Sequence, residues 1–465
     1  METLTQLLRA RASSRPDQVA YQFETFRPPQ VQGLTWGQLW ARARELARRA
    51  GPLAGETVLL LLPPGLDFHV AFYAALLAGA RPLAVQAPTL VQRARTRLQL
   101  DAARQAASSD RVWTLKAYAP EGYRNFLLDE PGEDGCDLPE AAPQDIAYFQ
   151  LTSGSTGGSR AIPISHANAI WMCRALGAEA DGQEGLVCSG WLPLYHDMGL
   201  ILTLLSPLVL DGRGHQIAPL DFLQKPVRWL RCLSEQGATH TAAPNFAYEL
   251  CLNALPEAPA DLDLSRLRRA FNGSETVNFE SAREFERRFG APVYPCYGLA
   301  EATLMVSGAR RGRGCGYPLR EVEVSIRDQE EIWVRGPGVA PGLADRDGWL
   351  ATGDCGFLQD GQLHVSGRLK ELIILNGVNY APQVFEQAAG DGVVAFSVPG
   401  RSGELLILLV ERRARKTASE VERAVAQATG VPPHRVELVE RIPRTSSGKF
   451  QRRLCRQQYL QRSPA

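Results

Sequence analysis

The chain contains the stretch Thr152-Ser153-Gly154-Ser155-Thr156-Gly157-Gly158-Ser159-Arg160, in which hydroxyl side chains are mixed with glycines. It follows a strand-like run at 146–151 and precedes a helical pattern of apolar residues at 166–176. Backbone N–H groups of such a loop can surround phosphate oxygens. The sequence therefore predicts a phosphate-binding loop of Thr152, Ser153, Gly154, Ser155, Thr156 and Gly157, with a plain surface linker as the alternative. Its spacing matches neither a Walker A loop nor a dinucleotide-binding turn.

Length and composition favour a globular protein with more than one domain. A chain of 465 residues is expected to form one large domain and at least one smaller one. The net charge of +1 gives no overall attraction to nucleic acid or to a membrane, so neither is expected as a partner. Nine cysteines without a Cys-x-x-Cys pair indicate reduced thiols. Together with an N-terminus that lacks a signal peptide, they predict a cytoplasmic location, and the excess of arginine over lysine is typical of a GC-rich bacterial genome.

The pattern of elements predicts an α/β fold. Strand-like and helix-like runs alternate from Glu56 onward, which indicates layered sheets and helices in a large N-terminal domain, residues 1–369. The remaining residues, 370–465, contain strand-like runs at 393–396 and 405–410 and a helical pattern at 418–429. They predict a small α+β C-terminal domain that begins at Lys370.

Four further motifs follow the glycine-rich loop along the chain. They are Tyr297-Gly298-Leu299-Ala300-Glu301, Thr352-Gly353-Asp354, Gly367-Arg368-Leu369-Lys370-Glu371 and Pro443-Arg444-Thr445-Ser446-Ser447-Gly448-Lys449. In this order, over residues 152–449, they resemble the signature of the adenylate-forming superfamily of acyl-CoA synthetases, peptide-synthetase adenylation domains and luciferases. The resemblance implies the adenylate-forming fold, with ATP and Mg²⁺ as cofactors and a mobile C-terminal domain.

The resemblance also implies a role for each motif. Glu301 is the expected magnesium-side carboxylate, since a triphosphate needs a hard cation held by oxygen ligands. Asp354 is expected to accept the ribose hydroxyl protons, with Arg368 as a second contact. Lys449 is expected to stabilise the transition state of adenylation, and Lys370 to be the hinge of the small domain. The AMP-binding set is completed by Asn272, Gly273, Ser274, Tyr297 and Gly298.

Three segments are similar to the fatty acyl-AMP ligase branch. They are Trp191-Leu192-Pro193-Leu194-Tyr195-His196-Asp197, Ala242-Ala243-Pro244-Asn245-Phe246-Ala247-Tyr248, and Tyr294-Pro295-Cys296-Tyr297. By this similarity His196 is a gate beside the reacting carboxylate, with a satisfied structural histidine as the alternative. Asn245, Phe246 and Tyr248 are the remaining expected residues of the acyl pocket. The expected reaction converts a fatty acid and ATP to acyl-AMP and pyrophosphate, and then acylates a holo acyl carrier protein, as in bacterial lipid and natural-product assembly.

Several features depart from that branch and keep alternatives open. Arg160 stands where a lysine is usual and Ala300 where many relatives have threonine, and the insertion expected between Ser307 and Cys315 is missing. Coenzyme A is therefore an alternative acceptor. An amino-acid or aryl-acid adenylating enzyme is a second alternative, for which Asp197 is the candidate ammonium ligand. A catalytically silent scaffold is the third. The arginines 441, 444, 452, 453, 456 and 462 form either a solvated face or a docking surface for an acidic carrier protein.

Overall fold

The structure is a computed structural model that describes residues 2–87, 93–130, 137–153, 159–178, 185–275, 277–309, 314–375, 378–400, 403–444 and 450–462. The chain forms two compact units. The first comprises Met1–Val324 and Val334–Leu350, and the second Ser325–Trp333 and Ala351–Ala465. None of the helices in these described ranges is long and apolar enough to cross a membrane.

The first unit alternates strands and helices. Its elements begin with α1 (Leu4–Ser14), β1 (Val19–Phe26), β2 (Pro29–Thr35), α2 (Trp36–Ala50), β3 (Thr57–Leu62), α3 (Leu66–Leu77), β4 (Arg81–Gln86), α4 (Arg93–Ala107), β5 (Arg111–Thr114), β6 (Arg124–Leu127), β7 (Ile146–Ser153), β8 (Ser159–Ser165) and α5 (His166–Ala178). They continue with β9 (Val187–Gly190), α6 (Asp197–Gly199), α7 (Ser206–Val209), β10 (Arg213–Ile217), α8 (Pro219–Gln224), α9 (Val227–Glu235), β11 (His240–Ala243), α10 (Asn245–Ala254), β12 (Arg269–Asn272), α11 (Phe279–Phe289), β13 (Val293–Tyr297), β14 (Ser307–Gly308), β15 (Tyr317–Pro318) and β16 (Glu323–Ile326).

Two large sheets organise this unit. One has nine strands in the order β15-β14-β13-β12-β11-β9-β10-β1-β2, and the other has six in the order β6-β5-β3-β4-β7-β8. The run TVLLLL of β3 lies between two parallel neighbours and is buried from Val58 to Leu62, as expected of a strand covered on both faces. Every residue of helix α3 except Asp67 is buried. One continuous apolar core, which includes Trp36, Phe72 and Trp229, packs these layers together.

The second unit is smaller and mixes short sheets with helices. Its elements are β17 (Glu331–Arg335), β18 (Leu350–Gln359), β19 (Gln362–Arg368), β20 (Ile373–Leu375), β21 (Val378–Tyr380), α12 (Pro382–Ala389), β22 (Val393–Gly400), β23 (Gly403–Glu411), α13 (Ala418–Thr429), β24 (Arg435–Val439) and α14 (Arg452–Arg462). Strands β16 to β19 form one sheet in that order, and β16 belongs to the second unit from Ser325 onward. Strand β20 pairs with β21, and β22, β23 and β24 form a third sheet. Thr417 and Glu420 form a capping box that starts α13.

The elements confirm the predicted α/β fold class. Both predicted strands of the C-terminal region are present, and the predicted helix at 418–429 coincides with α13. The division between the two compact units falls between Leu350 and Ala351, which is earlier in the chain than the predicted domain boundary at 369/370. That boundary concerns a hinge for motion, so it stays a prediction.

Candidate active site

Four parallel strands of the nine-stranded sheet end at one edge and carry predicted site residues just beyond their ends. In space their order is β9, β11, β12 and β13. The segment after β9 reaches His196, β11 leads into Asn245, β12 ends at Asn272, and β13 ends at Tyr297. Carboxyl ends of parallel strands share one edge of a sheet, which is where open α/β sheets bind ligands. The structure thus brings together residues that are about a hundred positions apart in the sequence.

The loop after β12 is shaped by close contacts with the loop after β13. A Cβ on Gly273 would lie 2.7 Å from the Cys296 sulfur, and a Cβ on Gly298 would lie 1.7 Å from the Leu304 carbonyl oxygen. No side chain can replace Gly298 without moving the backbone, and a side chain at Gly273 would displace the Cys296 sulfur. Ser274 has a φ of 69°, so it turns the chain sharply after Gly273.

A cavity opens beside these loops and joins polar and apolar groups. Ser274, Tyr297 and Gly298 of the predicted nucleotide set line it, together with the apolar side chains of Leu176, Met198, Leu202, Phe271, Leu304 and Met305 and with Asp197, Ala242 and Cys296. Burial raises the pKa of the Cys296 thiol, which therefore lines the cavity as a neutral group. This lining is suited to a ligand that has a polar head and an apolar chain.

The apolar lining was missed by sequence reasoning. Leu176, Leu202 and Met305 come from three distant segments, so only the fold shows that they face one space. For Phe271 the sequence provides a weak indication of a place in the site, because this residue immediately precedes the predicted site residue Asn272.

His196 and Asp197 form a short pair beside this cavity. His196 Nδ1 lies 2.7 Å from Asp197 Oδ1, and Asp197 also accepts a hydrogen bond from the Met198 amide at 2.7 Å. Both side chains are largely buried. The Met198 amide also donates to His196 Nδ1 at 3.4 Å, so both of these contacts are at Nδ1 and Nε2 is the nitrogen left for another partner. The gate role of His196 stays a prediction.

The other predicted acyl-pocket residues are not among those that line this cavity but make contacts around it, and their acyl-pocket role stays a prediction. The buried Tyr248 hydroxyl donates to the Phe271 carbonyl at 2.8 Å, and the Phe246 ring packs against Trp191. Asn245 accepts hydrogen bonds from the Asn272 side chain at 3.0 Å and from the Asn278 amide at 2.9 Å. Through Asn272, Asn245 fixes the start of the loop that contains Gly273 and Ser274.

The phosphate-binding loop is described only at its ends. Strands β7 and β8 pair antiparallel, with Thr152 opposite Arg160 and Ser153 opposite Ser159. The predicted strand and helix are therefore present, but β8 lies between the loop and α5. Gly154, Ser155, Thr156 and Gly157 lie outside the described residues.

Glu301 lies in a 3-10 turn, Ala300–Ala302, that follows the loop after β13. Its carboxylate is 3.9 Å from the Arg160 guanidinium, and its side chain keeps 22% of its surface exposed. At that distance the pair is weak. Among the described residues this is its one ion pair, and a carboxylate is a suitable ligand for a hard cation.

The second unit holds the remaining predicted residues. Asp354 on β18 and Arg368 on β19 are direct cross-strand neighbours, and Arg368 Nε lies 3.3 Å from Asp354 Oδ1. Asp354 is buried to 8% exposure, while Arg368 keeps 55% of its side chain exposed. The register of β18 and β19 therefore brings together Asp354 and Arg368, the two residues predicted to contact the ribose. Lys370 lies in the 3-10 turn Leu369–Glu371 that follows β19, and Lys449 lies outside the described residues.

Two arginines of the basic C-terminal region pair with carboxylates inside the second unit, and Arg456 donates to the Ser397 carbonyl at 2.8 Å. The buried Arg452 pairs with Glu386 at 2.8 Å and with Glu371, and Arg444 pairs with the buried Glu411 at 3.4 Å. For these two arginines the interpretation as a solvated face is wrong, because carboxylates of their own unit bind them.

Comparison with known proteins decides the family. The sequence pattern of the AMP-binding enzyme family matches residues 8–344, which is more than half of the chain. The chain belongs to the AMP-binding enzyme family. The adenylate-forming superfamily inferred from the five motifs is thereby confirmed, as is the prediction of an enzyme.

Relatives within the AMP-binding enzymes match nearly the whole chain. A medium-chain-fatty-acid–[acyl-carrier-protein] ligase of Moorena producens is 29% identical over 99% of this chain and 95% of its own. A long-chain-fatty-acid–AMP ligase of Mycobacterium tuberculosis is 30% identical over 97% of this chain and 96% of its own. A solved structure from a study of fatty acyl-adenylate ligases of E. coli and L. pneumophila is 28% identical, with a TM-score of 0.85 over 99% of this chain and 98% of that one. These matches confirm the resemblance to the fatty acyl-AMP ligase branch.

The Moorena producens alignment runs over 563 positions, although this AMP-binding enzyme has only 465 residues. The relative therefore carries segments that this chain lacks. The missing insertion noted in the sequence is consistent with that difference.

Proposed function

We propose that this enzyme activates a fatty acid with ATP, forming acyl-AMP and pyrophosphate, and then transfers the acyl group to the phosphopantetheine thiol of an acyl carrier protein. One observation carries the proposal: the cavity places the apolar side chains of Leu202, Phe271 and Met305 beside Tyr297 and Gly298. An acyl chain fits the apolar part and the adenylate fits the glycine-rich edge. The named fatty-acid ligases among the relatives support the same substrate class.

The chain's own residues divide the work of adenylation. The glycine-rich loop from Thr152 to Gly157 binds phosphate oxygens through its N–H groups. Asp354 accepts hydrogen bonds from the ribose hydroxyls and Arg368 steadies it. Lys449 places a cation where the carboxylate and the α-phosphate approach each other, which offsets their repulsion.

Magnesium belongs to the same proposal. Glu301 is the residue that would hold it, since its carboxylate is partly exposed and only weakly paired. A bound Mg²⁺ would neutralise the phosphates of ATP.

The small domain would turn about Lys370 between the two half-reactions, so that Lys449 serves adenylation and a different arrangement admits the thiol. The thiol acceptor has a second candidate, coenzyme A, because segments present in a carrier-protein ligase are absent here.

An amino acid is the less favoured substrate. Its α-ammonium group would need Asp197, which lines the cavity, but His196 and the Met198 amide already bind that carboxylate at 2.7 Å each. An aryl acid stays an alternative, since a 4-hydroxyphenylalkanoate adenylyltransferase of Mycobacterium marinum is 30% identical over 98% of this chain and 91% of its own.

Acid-dependent ATP–pyrophosphate exchange tests the proposal. Fatty, aryl and amino acids are compared with the wild type, Lys449→Ala and the control Lys116→Ala, whose exposed lysine pairs with Glu130 in the first unit. We expect exchange with fatty acids, its loss in Lys449→Ala and its retention in Lys116→Ala. Exchange driven by an amino acid or an aryl acid instead would replace the proposed substrate, and no exchange with any acid would favour the silent scaffold.

A further inference from the structure

Three ligand-type side chains meet at a place that the proposed reaction does not use. They are Glu24 on β1, His215 on β10 and Cys232 on α9. One ligand atom from each lies within 4.8 Å of the other two. None of the three lines the cavity described above.

The pairing of the strands explains why Glu24 meets His215. Strands β1 and β10 are parallel neighbours in which Gln22 lies opposite His215. Glu24 is two residues further along β1, so its side chain stands on the same face of the sheet as that of Gln22. The contact is therefore set by the backbone register and not by a flexible surface side chain.

Two of the three ligand-atom distances match those of a single tetrahedral ion, and the third is within 4.8 Å. His215 Nε2 lies 3.1 Å from Glu24 Oε2, and Cys232 Sγ lies 3.6 Å from the same oxygen. With usual zinc bond lengths, a tetrahedral centre separates a nitrogen from an oxygen ligand by about 3.4 Å and a sulfur from an oxygen by about 3.6 Å. Small adjustments of side-chain torsions would thus suffice to admit the ion.

The imidazole of His215 has the partner that metal-bound histidines usually have. Its Nδ1 is 3.0 Å from the Ser189 hydroxyl, so Nδ1–H can donate there and direct the Nε2 lone pair toward Glu24 and Cys232. A hydrogen bond of this kind at the far nitrogen fixes the tautomer and orientation of a ligating histidine.

Charge and burial favour a dication in this place. His215 is fully buried and Cys232 is 2% exposed, while the Glu24 side chain keeps 14% of its surface exposed. Within the described residues no lysine or arginine forms an ion pair with Glu24. A carboxylate, a thiolate, a neutral imidazole and one M²⁺ ion sum to zero charge, which makes burial of the whole site favourable.

We propose that Glu24, His215 and Cys232 bind one transition-metal dication of the zinc class, with water as the fourth ligand on the exposed side of Glu24. A mixed sulfur, nitrogen and oxygen donor set suits zinc or cobalt(II) and not magnesium or calcium. The ion would tie α9 to the strand pair β1–β10 of the large sheet. The proposal is independent of the reaction proposed above.

The test measures metal bound by the full-length protein after removal of metal with a chelator. Equilibrium dialysis against Zn²⁺ gives the stoichiometry for wild type, His215→Gln, Cys232→Ser and the control Cys251→Ser, whose buried thiol faces the Pro226 carbonyl. We expect one equivalent in wild type and in Cys251→Ser, and its loss in the other two variants. The proposal is overturned if the wild type binds no equivalent of Zn²⁺, or if both ligand variants still bind one. The three side chains would then form only a hydrogen-bonded cluster.

A second measurement does not depend on the folding of any variant. Co²⁺ added to the metal-free wild type should produce the near-ultraviolet charge-transfer absorption of a cobalt–thiolate bond, and Zn²⁺ should remove it. Absence of that band would contradict Cys232 as a ligand. If His215→Gln fails to fold, Glu24→Gln keeps the side-chain shape and should weaken Zn²⁺ binding at least about tenfold.

Discussion

Three buried histidines make the first unit sensitive to acid. Burial lowers the pKa of His69, His166 and His240 to about 4, from the usual 6.5. Between these values the unfolded chain binds protons that the folded chain does not. Stability is therefore complete above about pH 6.5, falls as the pH drops below that value, and stops falling near pH 4.

The loss can be estimated from the two pKa values. For one histidine the free energy of unfolding falls by about 2 kcal/mol between about pH 7.5 and about pH 5. Three independent sites give roughly 6 kcal/mol, which is a large part of the stability of a typical domain.

His240 offers the cleanest perturbation. Its Nδ1 lies 2.8 Å from the Thr239 hydroxyl, whereas its buried Nε2 has no hydrogen-bond partner among the described residues. In His240→Leu the lost hydrogen bond, about 1 kcal/mol, is offset by removal of the unpaired nitrogen. Stability near neutral pH should change little, and the acid-induced loss should shrink by about 2 kcal/mol.

Urea unfolding followed by tryptophan fluorescence at about pH 7.5 and about pH 5 measures the acid-induced loss of stability. The control His434→Gln alters an exposed histidine of the second unit and should leave the acid-induced loss unchanged. The reasoning is refuted if His240→Leu shows the same acid-induced loss as the wild type.

Three further predictions concern the site itself. Gly298→Ala should lower exchange at least about 100-fold with unchanged circular dichroism, because its Cβ would lie 1.7 Å from the Leu304 oxygen and displace the loop; near-normal exchange would contradict this. Asp354→Asn should raise the KM for ATP by roughly 10- to 100-fold, since a charged acceptor is lost, and an unchanged KM would exclude the ribose contact. Leu202→Phe should shift the preferred fatty acid to shorter chains, at about 0.8 kcal/mol for each methylene that no longer fits; an unaltered chain-length profile would remove Leu202 from the acyl pocket.

Sequence reasoning found what is local and missed what depends on packing. The paired residues Asp354 and Arg368 carry recognisable motifs, and a tight cross-strand register joins them. The apolar lining could not be predicted, because Leu176, Leu202 and Met305 belong to different segments whose side chains converge only in the folded sheet and helices.

The hydrogen bonds that position the site residues could not be predicted from the sequence either. The acyl-pocket role of Asn245 stays a prediction, but sequence reasoning missed that its side chain accepts a hydrogen bond from Asn272, a contact between the ends of two neighbouring strands. Strand ends can be located from a sequence, whereas the hydrogen bonds between them depend on how the strands are ordered in the sheet.

The central claim is that this enzyme forms a fatty acyl-adenylate. Mass spectrometry of a single-turnover incubation with ATP, Mg²⁺ and a medium-chain fatty acid tests it most directly. The account predicts acyl-AMP in an amount close to that of the enzyme, absent in Lys449→Ala and consumed when a holo acyl carrier protein is added. Hydrolysis of ATP without any acyl-AMP, or acyl-AMP formed equally well by Lys449→Ala, would contradict it.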